Sequence, residues 1–208
     1  EISECLVGSE MCIRDRLGLW NYGGGAFHSV WVSNEDLNIY KKHGVYAVLN
    51  AGSNAKLASG IAPVEKMLQM GIPLAVGTDG PSSNNALDMF REMYLICVLQ
   101  KLREKNAAAA DANAILKAAT AGSARCMGLP EADCIAPGKL ADLTVIGLHR
   151  PNMQPINNIT KNLVYSGAKT NVRLTMVDGR ILYENGRFLN ADTDEIYKNA
   201  QAVIDRIR

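Results

Sequence analysis

Between residues 26 and 127, short apolar runs alternate with helix-like stretches, and most of those stretches close on a glycine. Residues 26–32 (AFHSVWV) are apolar and β-prone and follow Gly23-Gly24-Gly25. Ser33 can cap a helix ending near His43, with Glu35 and Asp36 favourable in its first turn and Gly44 as its stop. Residues 45–49 form a second buried strand, and residues 50–63 a loop of small and polar residues. Pro63 opens a helix that Gly71 closes. Residues 72–77 (IPLAVG) form a third strand, and Ser82-Ser83-Asn84-Asn85 a loop. A long helix spans residues 87–105, with Leu87, Phe90, Tyr94 and Val98 at helical spacing. Asp111 caps another, which Gly128-Leu129-Pro130 ends. The order β-α-β-α-β-α-α implies parallel βα units.

The pattern changes after residue 135. Pro137-Gly138-Lys139 is a turn, and residues 143–146 are a short strand. Runs at 172–177 and 180–183 flank Asp178-Gly179, a strong two-residue hairpin signal. Asn185-Gly186 is a further turn. Residues 192–208 suit an amphipathic helix with Ile196, Ala200, Val203 and Ile207 on one face. The expected division is a leader over 1–16, a partial barrel over 17–135, a small β-sandwich portion over 136–190 and a terminal helix over 191–208.

The leader stands apart. Residues 5–16 read CLVGSEMCIRDR, and Met11 to Asp15 match the translation ATG TGT ATA AGA GAC of a transposase-end sequencing adapter. On that reading the natural sequence starts near Leu17, and Cys5 and Cys12 are not part of it. The five cysteines are odd in number and lack a CxxC pair, which argues against a disulfide framework or a cysteine zinc site. Cys97, in an apolar helical run, reads as a buried thiol.

The formal net charge is +1 with the basic residues scattered, so no nucleic-acid surface is expected. No apolar run nears the ~20 residues that cross a bilayer. No signal peptide is visible, so a soluble, cytoplasmic protein is expected.

Asp79 follows an uncharged strand in Thr78-Asp79-Gly80. In a βα barrel the active site lies at that face, where a carboxylate can bind a divalent metal and take a proton from water. TDG before Pro-Ser is also turn-like, and local chemistry leaves both roles open. His28 lies in an earlier strand of the series, as a second titratable rim group or as a hydrogen-bonded core histidine. His43 and His149 read as structural. Asn50, Ser53 and Asn54 follow the second strand and can shape a polar substrate pocket or merely turn the chain.

Several segments together resemble one family. HSVWVS at 28–33 looks like a barrel strand-six segment of AHCVHL type. SNAKLASGIAPV at 53–64 and VGTDGPSSNNALDMFREM at 76–93 resemble further segments, the latter at strand eight. ILKAATAGSARCMGL, PGKLADLTVI and VRLTMVDGRILYENGRF resemble the helix and the composite β domain that follow. The family is the amidohydrolase superfamily, in particular its 5-methylthioadenosine/S-adenosylhomocysteine deaminases. The resemblance covers residues 17–189 and implies the C-terminal part, about strands six to eight, of a TIM-like (β/α)8 metal-dependent hydrolase barrel. Part of a small composite β domain follows.

The resemblance implies one divalent metal, zinc before iron. Asp79 matches the strand-eight aspartate that ligates it, acts as general base and contacts substrate. His28 matches the strand-six histidine that contacts the metal-bound water or the substrate. In two-metal relatives that histidine is a ligand. The implied reaction is hydrolytic deamination of a purine nucleoside, with homo-oligomerisation left open. The chain holds no HxH or HxxE motif, which supply the family's other ligands, so it is expected to be inactive alone. Leu49 stands where many members have a histidine, which bears on substrate. The alternatives are another amidohydrolase, acting on guanine or a triazine, and a non-catalytic half-barrel in which Asp79 and His28 only cap and pack.

Overall fold

A computed structural model describes residues Arg14 to Ile207. The adapter-like stretch lies outside the described residues except for Arg14, Asp15 and Arg16, and Cys5 and Cys12 lie outside them altogether.

Three strands, β1 (Gly25–Phe27), β2 (Tyr46–Leu49) and β3 (Leu74–Val76), form a parallel sheet in sequence order. Phe27 pairs with Val48 and Val48 with Ala75, so the strand ends form a common rim. Helix α1 (Asn34–His43) links β1 to β2. Its Ser33 cap is reciprocal: the Ser33 hydroxyl accepts from the Asp36 N–H at 3.1 Å, and Asp36 accepts from the Ser33 N–H at 2.8 Å. Gly44 ends it at φ 63°. Helix α2 (Ala51–Lys56) and α3 (Val64–Met70) link β2 to β3. Leu37, Tyr40, Met67 and Ile96 pack against Ala47, Leu49 and Leu74 to make the core between sheet and helices.

Three expectations are corrected. Residues 28–32 are not strand: β1 stops at Phe27, where His28 and Ser29 turn left-handed at φ 65° and 47°. The stretch after β2 is not all loop, because α2 occupies its first half. The residues after Asp79 form a short turn of helix, α4 (Pro81–Asn84).

The long helix is α5 (Met89–Glu104), capped by Asp88. Its buried face is Glu92, Met93, Ile96, Cys97 and Gln100, whereas Leu87 and Tyr94 of the expected stripe are exposed. Cys97 is buried with its thiol free, as expected.

Helix α6 (Ala112–Lys117) begins at the Asp111 cap and runs through a π turn (Ala118–Gly122) into α7 (Ser123–Cys126). The π turn seats Gly122 against β3. A Cβ there would lie 2.3 Å from the Leu74 carbonyl oxygen, a backbone atom that cannot swing aside. Gly122→Ala is therefore expected to destabilise the fold by about 1–3 kcal/mol, as overpacking does. A melting midpoint unchanged from wild type would contradict this.

Strands β4 (Leu143–Ile146), β5 (Val172–Val177), β6 (Arg180–Glu184) and β7 (Arg187–Phe188) form an antiparallel sheet in that order. Asp178 and Gly179 turn the hairpin at φ 49° and 74°. Helix α8 (Ile159–Ser166), which the sequence pattern does not bring out, is capped by Asn158 and packs on α5 and α6. Helix α9 (Thr193–Ile207) forms as expected, but Ile196, Val203 and Ile207 are exposed and no residue of it is buried. Among the described residues no helix is long and apolar enough to cross a membrane.

Candidate active site at the strand rim

His28 and Asp79 meet where β1 and β3 end. His28 Nε2 lies 3.9 Å from Asp79 Oδ2, and each side chain is about one-third exposed. Both residues have left-handed backbones, Asp79 at φ 61°. Such positions are uncommon outside glycine and cluster where the surroundings over-determine them.

The surroundings do so through α2 and α4. Ser53 and Ser83 donate their hydroxyls to Asp79 Oδ2 at 2.6 and 2.7 Å, and the Gly80 N–H donates to Oδ1 at 2.7 Å. The Ser53 hydroxyl first, then Ser83, the Gly80 N–H and more weakly the charge of His28 hold the Asp79 carboxyl at about 2. On the other side, His28 Nδ1 lies 2.8 Å from Asn54 Oδ1. An amide oxygen only accepts, so Nδ1 carries a proton, and Nε2 faces Asp79. The His28 N–H donates to Val48 O at 2.9 Å and to Asn50 Oδ1 at 3.3 Å, which fixes the turn.

Asn50, Ser53 and Asn54 are expected from sequence to face a substrate pocket. The structure buries all three, at 2, 1 and 4% exposure. Their side-chain oxygens are engaged with His28 and Asp79, and Asn50 and Asn54 also line a cavity with Leu49 and Gly60. Leu49 is buried at the end of β2. His43 closes α1 beside the Asp15 carboxylate, while His149 lies in the loop after β4.

Sequence reasoning misses Glu92. It is fully buried, accepts from the Gly52 N–H at 2.8 Å and from Asn84 Nδ2 at 2.7 Å, and burial pushes its carboxyl up. An acidic residue beside Met93 and four residues before Ile96 is the available signal. Gly52 is required here, since a Cβ would lie 2.3 Å from Glu92 Oε1.

For a metal, Asp79 fits in kind. Its Oδ1 accepts one hydrogen bond and keeps a lone pair on a partly open side chain. It does not suffice in number. Among the described residues no group of three or more His, Cys, Asp and Glu could hold an ion, and catalytic zinc takes three protein ligands.

The acid behaviour follows from the carboxyl. An unfolded aspartate titrates near 4. A folded value of about 2 means that Asp79 contributes stability in full above about pH 4 and loses it as pH falls through about 2. Ser53→Ala removes the largest cause. Its melting midpoint is expected to lie below wild type at pH 5 and to converge on it below pH 2. A constant difference across that range would contradict the assignment.

A parallel sheet with a histidine and a restrained carboxylate at its C-terminal rim has the arrangement of a βα-barrel active-site face. The amidohydrolase family profile matches residues 19–182. The chain belongs to the amidohydrolase family. It is 39% identical over 182 residues to a 5-methylthioadenosine/S-adenosylhomocysteine deaminase of Thermococcus onnurineus, covering 88% of this chain and 43% of that protein. An adenosine deaminase of Xanthomonas campestris with bound zinc superposes with a TM-score of 0.90 at 33% identity, covering 95% of this chain and 45% of the other. A zinc-complexed atrazine chlorohydrolase of Arthrobacter aurescens gives 0.81 at 26% identity, covering 86% and 40%. The chain thus spans less than half the length of these relatives.

Proposed function

We propose that the chain is the C-terminal half of a metal-dependent deaminase that acts on a purine nucleoside of the 5-methylthioadenosine, S-adenosylhomocysteine or adenosine type. On this reading β1, β2 and β3 are barrel strands six, seven and eight. Residues 17–135 are the partial barrel, 136–190 the composite β portion and 191–208 a terminal helix, and the protein works in the cytoplasm. Asp79 is a metal ligand and the general base. His28 contacts the attacking water or the substrate. Asn50, Ser53 and Asn54 position that pair.

The observation that carries this is the pairing of the Asp79 carboxylate with a His28 ring nitrogen 3.9 Å away at the strand rim. That gap exceeds a hydrogen bond. In the reaction, water adds to the amine-bearing ring carbon, Asp79 takes its proton, and the proton leaves with the amine as ammonia. The other hydrogen of the water ends on the adjacent ring nitrogen as the product oxygen becomes the ring carbonyl. A divalent metal, when bound, brings the water's pKa near neutrality. The chain carries no HxH or HxxE motif to supply its remaining ligands, so this chain alone is expected to be inactive.

The test is ammonia release by the longest reading frame at the native locus, assayed with 5-methylthioadenosine, S-adenosylhomocysteine, adenosine and guanine. Release from an adenine nucleoside supports the reading. Release from guanine alone would move the assignment to another amidohydrolase activity.

A further inference from the structure

We propose that Glu92 is the positioning residue of the rim, one buried carboxylate that sets the hydrogen-bond partners of both His28 and Asp79. The proposal rests on the reading of His28 and Asp79 as the reacting pair. Glu92 is 0% exposed on the inner face of α5. One oxygen takes the Gly52 N–H, a free amide at the start of α2. That short helix carries Ser53, which donates to Asp79, and Asn54, which accepts from His28. The other oxygen takes Asn84 Nδ2. Asn84 also donates to the Thr78 carbonyl and directly follows Ser83, the second donor to Asp79. The same side chain therefore ties down α2 and α4, the two segments that grip the rim.

The arrangement requires two acceptors on one group. A glutamine in place of Glu92 would offer one oxygen, and its NH2 would face either the Gly52 N–H or the Asn84 NH2. Asn84 could turn its otherwise unpartnered Oδ1 toward that NH2, but Thr78 O would then lose its donor. A buried carboxylate with no cation hydrogen-bonded to it is costly, so its place here needs a reason beyond packing. Leucine or methionine would fill the space on α5 without cost to the core, but would leave the Gly52 N–H unpaired and α4 unanchored.

The experiment uses the full-length protein labelled with 15N at histidine. The ring nitrogens of His28, His43 and His149 are assigned by single substitutions, so that His43 and His149 act as internal controls. In wild type, His28 is expected as the Nδ1–H tautomer. In Glu92→Gln and Glu92→Ala, His43 and His149 are expected to keep their shifts. The His28 ratio of Nδ1–H to Nε2–H is expected to fall about fivefold, the worth of one hydrogen bond. Asn84→Ala, which cuts only the α4 arm, should leave the His28 tautomer in place and move the Asp79 carboxyl 13C signal in an Asp-labelled sample.

Unchanged His28 nitrogens in folded Glu92 variants would overturn the proposal. So would simultaneous loss of all three histidine environments, which would make Glu92 a residue of the fold alone. Neither result depends on deamination, so an inactive full-length protein with a shifted His28 would sink the reaction and leave the role of Glu92 standing.

Discussion

In the full-length protein, Asp79→Asn is expected to lower kcat by about 10²- to 10⁴-fold, the range over which a positioned base contributes. Asparagine is the informative substitution because it is nearly isosteric. Its Oδ1 still accepts the Gly80 N–H. The Ser53 and Ser83 hydroxyls, which donate to Asp79 Oδ2, can rotate to accept from the new NH2. Asparagine also tolerates the left-handed backbone at φ 61°. The fold and the rim therefore survive while the base is lost. Asp79→Ala confounds the two, since it strands three donors and strains the backbone. A folded Asp79→Asn protein with kcat within a few-fold of wild type would remove Asp79 from the chemistry.

The second large effect concerns the 208-residue chain by itself. Expressed alone, it is expected to collect mainly in the insoluble fraction and to hold well under one zinc per chain. In the β1-β2-β3 sheet the outer edges of β1 and β3 are unpaired among the described residues. Such edges recruit further strands. Phe27, on the last residue of β1, is 66% exposed, and the apolar face of α9 has no partner among them. Contiguous apolar surface of this kind drives association. The zinc expectation follows from the donor count, with one carboxylate and one histidine at the rim where three protein ligands are needed. Metal analysis and size-exclusion of the soluble fraction check both parts. A soluble, monomeric, zinc-loaded preparation would contradict them.

The order of elements is legible in the sequence because its signals are local. Ser33 and Gly44 bracket α1, Gly71 ends α3, Asp111 caps α6, and Asp178-Gly179 turns the hairpin, each by short-range chemistry. Lengths and faces are less legible because tertiary contacts decide them. Val30 and Val32 favour strand, yet the chain leaves the sheet after Phe27 because His28 and Ser29 turn left-handed, His28 held there by its Nδ1 contact with Asn54 and its N–H with Asn50. The face of α5 differs from the expected stripe because Glu92 and Gln100 sit in the core, satisfied by groups distant in sequence. Gln100 donates to Ala62 O at 2.6 Å and accepts from the Glu65 N–H at 3.1 Å. A hydrophobic periodicity discounts such residues.

The site divides the same way. His28 and Asp79 are visible as titratable groups near strand ends. That Asn50, Ser53 and Asn54 grip them is not, since α2 reads as loop and its hydrogen bonds span 22 to 26 residues.

The measurement that tests the account most directly is the sequence of the native locus upstream of Leu17. The account predicts an open reading frame continuous with Leu17 that carries an HxH pair and an HxxE motif, completing the ligand set around Asp79. A stop codon with a true start near Glu1 would contradict it and leave a free-standing half-barrel, for which a non-catalytic role would be the better reading.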